Sequence, residues 1–266
     1  MGLRGILLCS QGMLFVLLPG YVLLFILRRM PTVDRTLIWW GAGGLLLALL
    51  PINFFTSLAR QFLAASGGTA RTVTQLIIMA LLAGFFVEAM KYLVLKYKRV
   101  SGQVLVPSGI ALGLGVGLIT RIFLGFAFIG VGLRLLFGDT STALLAETAA
   151  RSLPDLGLAA IASLADRLSL LLFNACLGAV VGYALLEKKL HLLFYAMLIH
   201  AGIELGYNAI TVGFAGWGQL PTLLTLAFEG ALIAVGWWWL RGQLPAPIRA
   251  GKRKKRTNKP RIEQQD

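Results

Sequence analysis

The chain has 266 residues, of which 58% are hydrophobic and only 14% are charged, and its mean hydropathy is +0.80. No soluble domain of that length could cover so much apolar surface with polar groups, so the composition excludes a soluble globular protein and indicates lipid as the solvent. Lipid cannot hydrogen-bond an open backbone, which leaves helices or a closed barrel. The apolar runs are continuous, whereas a barrel would alternate polar and apolar residues. The sequence therefore predicts an all-α membrane protein.

Seven apolar runs have about the length that a bilayer demands, roughly 20 residues. The first ends on Arg28 and Arg29 without an Ala-x-Ala site and is longer than the apolar core of a signal peptide, so we expect it to be retained. A mixed segment at 137–165 contains Pro154 and favours an amphipathic interfacial helix followed by a turn. We predict a polytopic bundle with spans at approximately 5–27, 37–58, 76–95, 104–133, 168–186, 190–209 and 220–240.

Basic residues give the predicted bundle a direction, because Lys and Arg concentrate on the cytoplasmic side of a span. Most of the 25 basic residues fall in alternate connections and in the tail at 241–266. This alternation favours an N-terminus outside and a C-terminus in the cytoplasm, in the plasma membrane. The tail, with its cluster from Lys252 to Arg256, is expected to be disordered and to bind anionic lipid. No folded basic module accompanies it, so we expect no nucleic-acid partner.

Ionisable residues within the spans are the candidates for chemistry, because each costs about 2.5 to 3.5 kcal/mol to insert and needs a partner or a cavity. Glu88 and Lys91 lie three residues apart, on one helix face. They could carry chemistry, or they could neutralise each other while Lys91 reaches towards the cytoplasmic surface. Asp166 and Arg167 head the fifth predicted span, with Asn174 two turns deeper on the Arg167 side.

The sixth span carries a polar stripe in which His200, Glu204 and Asn208 follow one another at four-residue steps. A histidine one turn from a carboxylate could be a metal ligand, a general base or an interhelical contact. Arg121 in the fourth span and Glu229 in the seventh could pair across the bundle, as a structural device.

The order of these elements resembles the YhfC-type intramembrane peptidases, a glutamic or metal-dependent group related to the PrsW-like membrane proteases. The resemblance spans 84–208. It implies a peptidase-like scaffold in which catalysis would fall to a set drawn from these elements. The matching elements are Glu88 with Lys91, the glycine rhythm from Gly113 to Thr120, Asp166 and Arg167 followed by Asn174, and His200 with Glu204.

Three positions depart from that pattern, and each loses a titratable or metal-binding group. Val116 and Asn174 stand where the resemblance implies histidines, and Thr120 stands where it implies a carboxylate. Proton transfer needs a group that titrates near working pH, and a catalytic metal needs about three protein ligands. The candidates for a catalytic role are Glu88, Lys91, Asp166, Arg167, His200 and Glu204. Of these, His200 with Glu88, Asp166 and Glu204 survives as plausible chemistry. A divalent metal, with His200 as one ligand, is not required by the sequence.

Three functional hypotheses follow. The leading one is a divergent, peptidase-like protein with an eroded catalytic set, a pseudoenzyme that binds a membrane-protein partner or a transmembrane peptide without cutting it. If cleavage is retained, Glu88 or Glu204 would activate a water, assisted by His200. The second is a non-enzymatic subunit or assembly factor of a membrane complex. The third is a transporter or channel whose polar residues line a path, although no inverted repeat is recognisable.

Overall fold

The computed structural model describes residues 2–63, 68–214 and 216–244, and within them the side chains of residues 68–70, 120, 121, 143, 144 and 147 are outside the description. The segment at 245–266, which holds nearly all of the predicted basic tail, lies outside the described residues. The described chain is helical. Its helices are α1 (Gly2–Arg28), α2 (Thr36–Phe62), α3 (Gly68–Tyr97), α4 (Leu105–Leu136), α5 (Ala143–Ala150), α6 (Leu153–Leu186), α7 (Leu190–Gly213) and α8 (Leu220–Gln243).

Within the described residues, seven of these helices are long and apolar enough to cross a membrane, namely all except α5. The predicted all-α, seven-span fold class is therefore confirmed. The orientation of the termini stays a prediction.

The segment between the fourth and fifth spans differs from the expected interfacial helix and turn. Helix α5 is short, and α6 already begins at Leu153, well before the predicted start at 168. Ser152 caps α6 by accepting a hydrogen bond from the Asp155 N–H, and Pro154 occupies the first turn, where its missing N–H costs nothing. Pro154 therefore starts a helix that runs on without a turn, and Asp166 and Arg167 lie inside it.

The connection from α4 to α5 is held by polar contacts around Asp139. The Arg134 guanidinium donates from Nε to Asp139 Oδ2 at 2.7 Å, and the Ser141 N–H donates to Oδ1 at 2.8 Å. Hydrogen bonds from Ser141 and Arg134 lower the pKa of the Asp139 carboxyl to about 2. This carboxylate is therefore ionised at neutral pH and pairs with Arg134 at the end of α4.

Helices α4 and α6 form the centre of the bundle. Of the most apolar window of α6, 67% is buried, against 33% or less for the other six spans. The two helices are in backbone contact at glycines, since a Cβ added at Gly109 would overlap the Gly178 carbonyl, and one at Gly113 would overlap the Asn174 carbonyl. The glycines of α4 therefore allow α4 and α6 to pack with their backbones in contact.

Substituting Gly113 with Ala tests this close contact. We expect Gly113→Ala to lower the free energy of unfolding by about 1 to 3 kcal/mol, because the new methyl group forces α4 away from α6. Gly130→Ala is the matched control in the same helix: nothing lies within 4 Å of its added Cβ, so the better helix propensity of Ala should leave stability equal or higher by up to about 1 kcal/mol. Denaturant unfolding in detergent measures both, and equal effects of the two variants would contradict the contact.

Candidate functional site

A buried carboxylate, that of Glu88, is the centre of the first polar cluster. Glu88 Oε1 accepts from Lys91 Nζ at 2.6 Å and lies 2.7 Å from His200 Nδ1. Glu88, Lys91 and His200 are 0%, 1% and 4% exposed. One carboxylate oxygen therefore joins α3 to α7, while Oε2 is buried without a hydrogen-bond partner among the described residues.

Lys91 has a second acceptor, from α6. Its Nζ donates to Asn174 Oδ1 at 3.0 Å, and the Asn174 amide donates from Nδ2 to the Leu170 carbonyl at 2.9 Å, which fixes the direction of the side chain. The i,i+3 pair expected of Glu88 and Lys91 is present. The alternative in which Lys91 reaches towards the cytoplasmic surface is wrong, because its ammonium ends within the bundle on two oxygen atoms.

Two glycines set the distances in this cluster. A Cβ at Gly84 would overlap the Met197 carbonyl, so α3 and α7 touch one turn before Glu88 and three residues before His200. The contact of Gly113 with the Asn174 backbone brings α6 against α4 at the level of Lys91. Because of these close approaches, side chains from three helices meet within hydrogen-bond distance.

The cluster is closed to water on the side of α2 and α4. Lys91 lines a narrow crevice with Val116, and the crevice offers ≈ 0 Å³ to a water-sized molecule, whereas a buried water needs about 10 to 15 Å³. On another side, the Phe173 ring packs edge-on against the His200 ring, with centroids 5.5 Å apart. The arrangement favours an internal ion pair over a hydrolytic site.

A second polar group lies between α6, α7 and α8. Asp166 and Arg167 form an ion pair with Nε and Oδ2 3.0 Å apart. Ser169 Oγ donates to Glu229 Oε2 across the α6–α8 contact. Glu204 lines the same cavity, whose volume is ≈ 170 Å³. Distances along the helices follow from the rise per residue. This second polar group lies roughly 20 to 30 Å from the helix ends at Leu186, Leu190 and Gln243. The Glu88 cluster is closer to the same end of the bundle, at roughly 15 Å.

The six catalytic candidates thus divide between two places. Glu88, Lys91 and His200 form the closed cluster, and Asp166, Arg167 and Glu204 line the cavity. Glu204 lies one turn from His200 on α7, yet it lines the cavity, whereas His200 contacts Glu88 on α3. The expected pairing of Glu229 with Arg121 and the role of Thr120 lie outside the described residues, because neither the Arg121 nor the Thr120 side chain is described.

Several residues of both places were not singled out from the sequence. Ser169 follows Asp166 by three residues and Tyr207 follows Glu204 by three, so helical spacing from a charged residue was the available signal. Phe173 gives no such signal, because an aromatic residue in an apolar run is ordinary.

The described side chains offer no cluster of three or more His, Cys, Asp or Glu residues that could hold a metal ion. At His200, the candidate metal ligand, the neighbouring groups are the Glu88 carboxylate and, through it, the Lys91 ammonium. A cation next to the ligands disfavours a second, metallic cation. The residues present therefore do not fit a catalytic metal at this place.

Replacing Lys91 by Met tests whether the cluster is an ion pair that stabilises the bundle. We expect Lys91→Met to cost about 3 to 5 kcal/mol of unfolding free energy, because it leaves the Glu88 carboxylate buried without its cation. The double variant Glu88→Gln with Lys91→Met should recover much of that loss. The exposed pair of Lys189 with Glu187, at 3.6 Å, is the control, since Lys189→Met should change stability by less than about 1 kcal/mol. Additive losses in the double variant, measured by denaturant unfolding, would exclude the coupling.

The described chain is all-helical, and its seven long apolar helices are compatible with a multi-pass integral membrane protein. The ionisable side chains of the two polar groups are turned into the bundle, as lipid requires. Comparison of the chain with protein-family models, with curated proteins and with solved structures finds no match.

Proposed function

We propose that this integral membrane protein is a divergent relative of the YhfC-type intramembrane peptidases that binds a membrane partner or a transmembrane peptide without cleaving it. The single observation that carries the proposal is the Glu88 carboxylate, which is held by Lys91 and His200 in a buried cluster whose crevice towards α2 and α4 has no room for a water. A carboxylate that acts as a general base needs a water or a substrate proton within hydrogen-bond reach. Lys91 and His200 both hold Oε1, and the free Oε2 is buried at a residue that is 0% exposed, where neither bulk water nor a substrate reaches it.

The resemblance gains support from the residues that surround Lys91. Glu88 and His200, which match the family pattern, lie 2.7 Å apart although they are 112 residues apart in the sequence. Asn174, at an expected histidine position, contacts Lys91, and Val116, at another, lines the crevice beside it. Four positions that the resemblance assigns to one site therefore surround one point of this bundle. At that point the Lys91 ammonium supplies the positive charge, and it lies between Glu88 and Asn174.

The absence of proteolysis is the first expected outcome. Purified full-length protein in detergent or liposomes should release no fragments from a library of transmembrane peptides above a protein-free blank, as read by mass spectrometry. The matched variants are Glu88→Gln and His200→Ala, each checked for a folded thermal transition. Cleavage by the unmodified protein that disappears in either variant would refute the pseudoenzyme proposal, and its loss in Glu88→Gln would point to Glu88 as the base.

Restoring the expected ligands tests the resemblance itself. We expect the triple variant Val116→His, Asn174→His, Lys91→Ala to bind close to one Zn²⁺ per chain, because Glu88 and His200 would then be joined by two imidazoles and freed of the competing ammonium. Metal content after dialysis is the measurement, with Lys91→Ala alone as the control. If the folded triple variant retains no more zinc than the control, these four positions do not form a metal-type site and the resemblance fails.

The partner is the second part of the proposal, and it overlaps with the hypothesis of a non-enzymatic subunit. Extraction in a gentle detergent, followed by cross-linking and size-exclusion chromatography, should recover this chain together with another membrane protein or peptide. A chain that always migrates alone would contradict both.

A further inference from the structure

The cavity between α6, α7 and α8 is a built compartment within the bundle. Its walls combine acidic and aromatic side chains with an apolar part, and its volume is ≈ 170 Å³. An adjoining cavity of ≈ 320 Å³ shares Asp166, Arg167 and Tyr207 with it and extends to Thr211 at the end of α7 and Thr222 at the start of α8. The compartment is therefore approached from the end of the bundle at which α7 and α8 are connected.

Charge in this cavity is unbalanced among the described side chains. Asp166 and Arg167 form an ion pair with each other. Glu204 and Glu229 remain, and no described Lys or Arg side chain forms an ion pair with either. A carboxylate within the bilayer that has no cation among the described side chains needs a cation from elsewhere or a proton. The cavity has room for a cation.

Glu229 is the most demanding of these groups. It is 3% exposed, and the one hydrogen bond that the described residues give it comes from Ser169 Oγ to Oε2. Glu229 lines the cavity, and no described residue donates a hydrogen bond to its Oε1. An almost wholly buried side chain that lines an open compartment and has an unused acceptor leaves that acceptor to a donor from outside the chain, either water or a ligand.

The other walls narrow the class of donor. No three described His, Cys, Asp or Glu side chains come together as metal ligands here, and a bare ion would leave most of the ≈ 170 Å³ empty. Phe173 and Tyr207 offer rings, which attract organic cations, and Leu170, Ile203 and Leu232 offer apolar surface. Together these walls suit an ammonium group with a short hydrocarbon part.

We propose that this cavity binds a small organic cation whose N–H groups donate to Glu229 Oε1 and to the Glu204 carboxylate. Its hydrocarbon part lies against Phe173, Leu170 and Ile203, and the Tyr207 hydroxyl lies at the passage to the adjoining cavity. The site is distinct from the Glu88 cluster, and it requires neither peptidase ancestry nor a membrane partner.

Direct binding of n-butylammonium to the purified full-length protein in detergent tests the proposal, with n-butanol as the neutral probe of similar shape. Equilibrium dialysis at constant ionic strength should show saturable binding of the amine and no saturable binding of the alcohol. Glu229→Gln and Glu204→Gln should each weaken the amine about tenfold or more, the loss expected for one charge-assisted hydrogen bond. Glu187→Gln removes a carboxylate that is 51% exposed outside the bundle, and its affinity should equal that of the unmodified protein.

Three results would overturn the proposal. One is the lack of saturable amine binding, as expected if protons rather than a ligand neutralise the two carboxyl groups. Another is equal binding of amine and alcohol, which would indicate partition into apolar surface. The last is unchanged affinity in folded Glu204→Gln and Glu229→Gln. If Glu229→Gln does not fold, Glu204→Gln decides alone. None of these results bears on the absence of proteolysis, so the two proposals stand or fall separately.

Discussion

An ammonium group inside a bilayer needs acceptors from the protein, and the acceptors of Lys91 determine how the bundle is assembled. Glu88 supplies one from the same helix, and Asn174 supplies another from α6. Glu88 in turn binds His200 on α7. Three helices are thereby joined at one charged point, and the glycine contacts at Gly84 and Gly113 bring their backbones close enough for these bonds to form. The close packing of the helices and the pairing of their buried charges therefore depend on each other.

Much of the fold could be predicted from the sequence, because lipid imposes a length and a polarity on each span that can be read from one chain. The pairing of Glu88 with Lys91 was also readable, since helical spacing fixes it. The start of α6 was not, because Pro154 breaks a helix in its interior but begins one in its first turn. The sequence placed Asp166 and Arg167 at the start of a span because both are charged. Since they form an ion pair with each other, α6 can carry them in its interior.

Contacts between helices could not be predicted, and both polar groups depend on them. Nothing in the sequence near Asn174 indicates that its amide meets Lys91, and nothing near Ser169 indicates Glu229. Helical periodicity shows which side chains share a face but not which helix that face meets. The stripe of His200 and Glu204 illustrates this, since one turn of α7 separates a residue of a closed ion cluster from a residue of an open cavity.

The i,i+3 spacing of Glu88 and Lys91 also has a consequence for how the protein is made. Helix α3 is synthesised before α6 and α7, so it enters the membrane while Asn174, 83 residues after Lys91, and His200, 112 residues after Glu88, do not yet exist. A lone lysine or glutamate would be exposed to lipid throughout that interval. The two side chains neutralise each other on the same helix face from the start, so the third span carries its own counter-ion during insertion. The ion pair stays in place when Asn174 and His200 later bind to it.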